Sequence, residues 1–172
     1  MTIDEMHEKF YPLFEVYEGE ETERSYYKKG EILRGIETPV AWNWIVEKLL
    51  ESFEWIRTHN HYIPNPNFNG NIPPNKGNPR YIPGPFHDIK IFQIKEKFGS
   101  FECYYTYNGD GFLKGQIERA IGRAEALAAQ CCAICGQLGD NGKPLTKQTK
   151  GWINKVCTKC KLSLEDSYVN NI

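Results

Sequence analysis

The sequence predicts an α+β fold, in which an antiparallel β-hairpin or small sheet is packed by amphipathic helices and followed by a C-terminal zinc module. Two segments repeat apolar residues at the helical period, the segment between them alternates as a hairpin does, and two Cys-x-x-Cys pairs lie near the C-terminus. We predict an α+β domain over residues 1–130, with a Pro- and Asn-rich long loop at residues 60–87, and a zinc-binding module over residues 131–172.

The composition is that of a globular protein. Of 172 residues, 40% are hydrophobic and 25% are charged, which excludes a disordered chain. The first residues are acidic and no apolar run approaches the roughly 18 residues of a membrane span, so we expect a cytoplasmic protein without a secretory signal. In a reducing cytoplasm, closely spaced cysteines are more often metal ligands or redox thiols than disulfides.

Charge is distributed unevenly along the chain. The net charge is -1, but residues 1–60 hold 7 Lys and Arg against 13 Asp and Glu, whereas residues 114–161 hold 9 against 3. A basic segment of this kind either meets an anion, such as a nucleic acid, or is a solvated surface.

The first long helix is predicted at residues 39–58. Thr38 is a candidate N-cap and Pro39 suits the first helical turn. Beyond them, an apolar stripe recurs at three- and four-residue spacing and consists of Trp42, Ile45, Leu49, Phe53 and Ile56. A shorter helix is predicted before Pro12.

The long loop is rich in residues that interrupt regular structure. Residues 61–87 contain seven prolines and six asparagines, so we expect neither a helix nor a strand ladder there. Long loops in compact domains are often functional. Tyr62, Phe68, Arg80 and Tyr81 are therefore candidate ligand-binding residues, and an insertion without a binding role is the alternative.

A β-hairpin is predicted over residues 88–107. With Phe98 and Gly99 as a two-residue turn, Phe92 faces Tyr105. One face then collects the apolar side chains of Phe92, Ile94, Phe101, Cys103 and Tyr105. After this hairpin, Asp110 is a candidate cap for a second amphipathic helix, which we expect to lie across the apolar face.

Four cysteines have the spacing of a zinc site. Cys132 and Cys135 form one Cys-x-x-Cys pair, followed by glycine, and Cys157 and Cys160 form the second. Two such pairs supply the four corners of a tetrahedron, as in a treble-clef or ribbon-like module. A filled coordination shell leaves no position for water, which predicts a structural role for Zn²⁺. Cys131 is interpreted as a spare thiol that could replace Cys132 as a metal ligand.

Other chemistries have weaker support. A thioredoxin-like redox pair would not need a second Cys-x-x-Cys, and iron–sulfur clusters use different spacings. The sequence has no HExxH motif, no dinucleotide-binding fingerprint and no true phosphate loop. We therefore predict no catalytic residues and no enzyme activity.

Several of these segments together resemble a family of small uncharacterised proteins of bacteriophages and prophages. The resemblance covers a Trp-containing helix at residues 41–56, a strand motif "QIKEKFGS" at residues 93–100 followed by "YY", and a "CxxCG" then "GW....CxxC" pattern at residues 132–160. Phe101 and Glu102 stand where the family usually has Leu-Arg. The resemblance implies a phage-type accessory protein that acts inside an infected bacterium.

Small phage proteins without catalytic signatures often act by binding. The first functional hypothesis is a non-enzymatic, zinc-containing antagonist of host antiviral defence that binds a host protein or sequesters a nucleotide-type signal. Its ligand would meet the aromatic residues of the loop together with Lys143, Lys147 and Lys150. The alternative is a zinc module that binds DNA or RNA in a regulatory role.

Overall fold

The computed structural model describes residues 1–20, 26–59, 62–139, 145–148 and 154–169. The helices are α1 (Ile3–Lys9), α2 (Asn43–Thr58), α3 (Gly111–Gln130) and α4 (Thr158–Val169). The strands are β1 (Gly35–Glu37), β2 (Tyr62–Pro64), β3 (Tyr81–Pro83), β4 (Asp88–Lys97), β5 (Ser100–Asn108), β6 (Thr146–Gln148) and β7 (Asn154–Val156). These elements confirm the predicted α+β fold with small antiparallel sheets.

The central sheet has three strands in the order β1-β4-β5. Strands β4 and β5 form the predicted antiparallel hairpin, whose turn residues Phe98 and Gly99 have φ angles of 52° and 77°. Two positive φ angles are typical of the type I′ turn, which matches the twist of the flanking strands. Strand β1 joins the other side of β4 in parallel, with Gly35 opposite Gln93.

The hairpin register follows the prediction only near the turn. Lys95 lies opposite Glu102 as expected, but a β-bulge between Ile91 and Gln93 shifts the pairing beyond it. Ile91 therefore lies opposite Tyr105, and the prediction that Phe92 does so is wrong. Ile91 is fully buried, whereas Phe92 is half-buried. A bulge inserts one extra residue and exchanges the faces of the sheet from that point.

Helix α2 begins later than predicted. A 3₁₀ turn at Val40–Trp42 precedes it, and no side chain caps either element. The hydroxyl of Thr38 is buried and has no hydrogen-bond partner among the described residues, so the predicted N-cap is wrong. The apolar stripe of this helix is buried as expected.

The main core lies between the sheet and the helices. Helix α3 packs on β5 and on α2, and its first turn is capped by Asp110, whose carboxylate accepts a hydrogen bond from the Leu113 N–H at 2.9 Å. The N-terminal segment contributes four side chains that are at most 3% exposed, namely Met6, Phe10, Leu13 and Phe14. The amino-terminal residues are thus part of the core. No helix in the described ranges has the length and apolar character needed to cross a membrane.

Residues 62–87, called the arm from here on, are more ordered than predicted. Strands β2 and β3 pair antiparallel, with Tyr62 opposite Pro83 and Pro64 opposite Tyr81, so the expectation of no strand ladder is wrong. Asparagine side chains hold the rest of the arm: the Asn65 amide donates to the Pro79 carbonyl at 2.8 Å. Asparagine side chains can replace backbone hydrogen bonds in turns. The density of proline and asparagine in the sequence therefore predicts less order than the arm has.

Candidate metal centre

The first cysteine pair lies in a tight turn that follows α3 directly. Cys131 and Leu138 form an antiparallel bridge, and the N–H of Gly136 donates to the carbonyl of Cys132 at 2.9 Å. Gly136 has a φ of +73°, a conformation that glycine adopts without steric cost. The Cys-x-x-Cys-Gly sequence thus forms a turn that brings Cys132 and Cys135 to the same side.

The second pair lies where β7 meets α4. Cys157 follows β7 directly and Cys160 is in the first turn of α4. Hydrogen bonds join this segment to the first turn. The Ala133 N–H donates to the Lys155 carbonyl at 2.8 Å, and the Cys157 N–H donates to the Cys132 sulfur at 3.3 Å. The order of turn, β6–β7 hairpin and helix is that of the predicted treble-clef arrangement.

The four sulfur atoms form one cluster. The Sγ atoms of Cys132, Cys135, Cys157 and Cys160 all lie within 4.8 Å of one another, and those of Cys135 and Cys157 are 3.7 Å apart. A disulfide needs about 2.05 Å between sulfurs. Four sulfurs at about 2.3 Å from a tetrahedral ion lie about 3.8 Å apart, which is close to the observed separation. The cluster could therefore hold a metal ion.

The environment of the thiols also suits a cation. Burial disfavours the Cys132 thiolate, but backbone N–H groups of Cys135, Cys157 and Ile134 stabilise it and together lower its pKa to about 6. Hydrogen bonds with the neighbouring cysteine thiols raise the pKa of Cys160 to about 12. Four thiols that share one small volume cannot all ionise without a positive charge among them.

The two remaining cysteines lie outside the cluster. The Cys131 side chain is fully buried, and its thiol points at the Gly136 carbonyl oxygen, 3.4 Å away. Cys103 packs against the main core, as predicted, and burial raises its pKa to about 12. Neither thiol belongs to the group of four sulfurs that could hold a metal ion.

Sequence reasoning missed the contacts that join the metal centre to the main core. The Trp42 indole N–H donates a hydrogen bond to the Cys131 carbonyl at 3.3 Å. A Cβ atom on Gly136 would lie 3.4 Å from the Ala41 carbonyl oxygen, so the two backbones approach closely. No local signal could have revealed this contact, because the indole and carbonyl are distant in sequence. The sequence predicts for Trp42 only a place in the apolar stripe of α2.

The predicted ligand-binding residues are only partly brought together. The guanidinium of Arg80 lies over the Phe68 ring at 5.6 Å, so these two residues engage each other within the arm. Tyr62 and Tyr81 are 63% and 55% exposed. Lys143 and Lys150 lie outside the described residues, as does the side chain of Lys147 in β6. A site shared by the arm and these lysines therefore stays a prediction.

Comparison with protein-family models, with curated proteins and with solved structures finds no match to this chain.

Proposed function

We propose that the four cysteines hold one Zn²⁺ ion with a structural role, and that the protein acts by binding a partner and not by catalysis. The observation that carries the proposal is the cluster of four sulfurs within 4.8 Å of one another. Four thiolates complete a tetrahedral shell, which leaves no open position for substrate or water. When bound, the metal ion would contribute folding free energy to a module whose described residues bury few apolar side chains.

Among the described residues of that module, few apolar side chains are buried. The second cluster of buried residues consists of Cys132, Val156 and Cys157, with Leu145 and Cys160 packed against it. Three of these five residues are members of the sulfur cluster. Small modules with little apolar burial generally need a metal or disulfides to stay folded, which supports a structural role for the ion.

Metal analysis of the protein, purified in reductant, tests the zinc site. We expect one equivalent of zinc per chain in the natural sequence and in Cys103→Ser, the matched control outside the cluster. We expect a loss of stoichiometric zinc in Cys135→Ser. A tetrahedral set of four sulfurs also accepts iron, so one equivalent of iron would overturn the choice of zinc. The absence of any stoichiometric metal would overturn the site.

Chelation followed by hydrogen exchange tests the structural role. We expect amides of residues 131–139 and 154–163 to lose protection when the metal is removed, while those of α2 and β4 keep theirs. Equal protection with and without metal would contradict a structural role.

The surface proposed for the partner is one face of the arm. Tyr62, Pro64, Tyr81 and Pro83 alternate with half-buried isoleucines in β2 and β3, so all four share the exposed face. Rigid aromatic residues of this kind are enriched at protein interfaces. A protein partner is therefore the class that this face supports, and a component of bacterial antiviral defence is the partner that the resemblance to phage proteins implies.

Capture of proteins from bacterial lysate tests for such a partner. It compares the natural sequence with variants that lack the exposed tyrosines of this face. A band retained by the natural sequence should be lost with Tyr62→Ala/Tyr81→Ala and kept with Tyr26→Ala, which removes another exposed tyrosine outside the arm. Equal retention by all three proteins would contradict binding through the arm. Expression in bacteria that carry a defence system should restore phage growth, if defence is the target.

A further inference from the structure

A groove runs between α2 and α3, away from the cysteine cluster. The two helices pack against each other, and Trp42, just before α2, contacts Cys131, just after α3. The groove has a volume of about 580 Å³. This value falls within the range of roughly 300–1,000 Å³ typical of small-molecule sites. Its apolar lining includes Ile45, Leu49, Ile56, Ala120 and Ala124.

Cations dominate the polar lining of the groove. Arg119 and Arg123 are exposed and lie one turn apart on α3, and Lys48 lines the opposite side on α2. Among the described residues, neither arginine has a hydrogen-bond or ion-pair partner. Elsewhere on the same helix, Lys114 pairs with Glu118 at 3.5 Å. The two guanidinium groups are therefore available to an anion.

The single carboxylate of the groove does not neutralise this charge. Glu51 lines the groove, but its carboxylate lies 3.8 Å from the ammonium of Lys9 on α1. Three cationic side chains and one carboxylate leave an excess of positive charge. This excess suits a ligand with one or a few phosphates. The basic surface of the groove is too short to follow the backbone of a nucleic acid.

An aromatic ring lies in the same groove. Trp55 lines it and is 48% exposed. The His59 ring stacks on the indole with centroids 5.0 Å apart and an interplanar angle of 7°, which fixes the orientation of the indole. A preorganised, exposed aromatic ring is a stacking surface for a planar ligand.

We propose that this groove binds a phosphate-bearing small molecule with a planar ring, of nucleotide type. Arg119 and Arg123 bind the phosphates, since guanidinium groups donate paired hydrogen bonds to phosphate oxygens. Trp55 and the apolar floor contact the planar ring. The site lies outside the metal centre and the arm, so it stands or falls independently of the function proposed above.

Calorimetry on the full chain as purified tests the proposal, with ATP, ADP, AMP, inorganic triphosphate and adenosine as probes. We expect at least one nucleotide to bind, and Arg119→Gln/Arg123→Gln to weaken that binding by about tenfold or more. Lys95→Gln/Lys97→Gln is the matched control, because it removes two positive charges from the hairpin and none from the groove. We expect the control to bind within about twofold of the natural sequence, and binding to weaken as salt is raised.

A second variant separates recognition of the ring from that of the phosphates. Trp55→Ala should weaken ATP binding and leave triphosphate binding unchanged, because triphosphate has no ring to stack. Three results would overturn the proposal: no binding of any nucleotide probe, equal binding by the arginine variant and its control, or nucleotide displaced from the same arginines by short single-stranded DNA or RNA that binds more tightly. The arginines are exposed, so their replacement should leave the melting temperature within a few degrees of that of the control.

Discussion

The indole N–H of Trp42 donates a hydrogen bond to the carbonyl oxygen of Cys131, the residue immediately before the first cysteine of the metal centre. Trp42 is fully buried, so this bond forms away from water. It joins the start of α2 to the turn that carries Cys132 and Cys135. The position of the metal centre relative to the main core therefore depends on a side chain that is distant in sequence.

Trp42→Phe should lower the free energy of unfolding by about 1–3 kcal/mol, because it leaves the Cys131 carbonyl without its indole donor. Urea denaturation followed by circular dichroism measures the change. Trp55→Phe is the control, since Trp55 is half-exposed and should change stability by no more than about 0.5 kcal/mol. Equal effects of the two substitutions would contradict a specific role for the buried hydrogen bond.

Cys131→Ser should retain one equivalent of metal, whereas Cys132→Ser should lose it. The Cys131 thiol is directed at the Gly136 carbonyl and not into the sulfur cluster, although the two cysteines are adjacent. Metal analysis of both variants after gel filtration measures the difference. Loss of metal from both proteins would show that the adjacent thiol contributes to the site.

Gly136→Ala should destabilise the metal centre by about 1 kcal/mol or more, because alanine is strained at a φ of +73°. Gly122→Ala should have the opposite effect and stabilise the protein by about 0.5–1 kcal/mol, since Gly122 lies in the middle of α3. A Cβ atom there meets nothing within 4 Å. Thermal melting of the metal-loaded proteins compares them, and a stabilising Gly136→Ala would refute the role assigned to the left-handed turn.

Phe98→Asn should stabilise the hairpin by about 1 kcal/mol. Phe98 has a φ of 52°, which is costly for a phenylalanine, and Asn-Gly is the preferred sequence for this turn. Phe112→Asn is a control because Phe112 is comparably exposed but lies in the first turn of α3. Chemical denaturation should show a gain only for Phe98→Asn, and a loss at this position would indicate that the aromatic ring stabilises the turn in another way.

Stability should fall as the pH falls below about 6.5, the ordinary pKa of histidine. The Nε2 atom of His7 accepts a hydrogen bond from the Ile36 N–H at 3.2 Å, which requires the neutral ring. Burial lowers the pKa of His7, and the nearby Asp4 opposes this shift only in part. The unfolded chain therefore takes up the proton first, and the loss accumulates between pH 6.5 and the lower pKa of the folded state.

Unfolding free energies measured from pH 8 to pH 5 test this dependence. His7→Gln keeps an acceptor but does not titrate, so its stability should vary less with pH in this window. An identical pH profile for the natural sequence and the variant would show that His7 is not the responsible group.

The hairpin and the two long helices could be predicted because their patterns are local. Turn chemistry at Phe98 and Gly99 and the apolar stripe of α2 each involve residues close in sequence. The bulge at Ile91 could not be predicted, since exchanging Ile91 for Phe92 leaves both faces apolar enough to be plausible. Strand β1 could not be predicted either, because its three residues carry no alternation and depend on β4 for their pairing.

Four cysteines of the candidate site could be chosen from spacing alone, because Cys-x-x-Cys turns are local and each brings two sulfurs together. The contact that joins the metal centre to the main core could not be predicted, since the hydrogen bond between Trp42 and Cys131 depends on how α2 packs on α3. The groove between these helices could not be predicted for the same reason. Arg119 and Arg123 are ordinary surface cations in the sequence and become neighbours of Trp55 only through helix packing.

The parallel pairing of β1 with β4 has a consequence for protein synthesis. Gly35 pairs with Gln93, so β1 is synthesised well before the strand with which it pairs. The backbone groups of β1 cannot form their sheet hydrogen bonds until β4 has been synthesised. Until then, Ile36 lacks the strand beside which it is buried. Because distant contacts form slowly, we expect ribosome-bound fragments that end before β4 to be sensitive to proteases and to recruit chaperones.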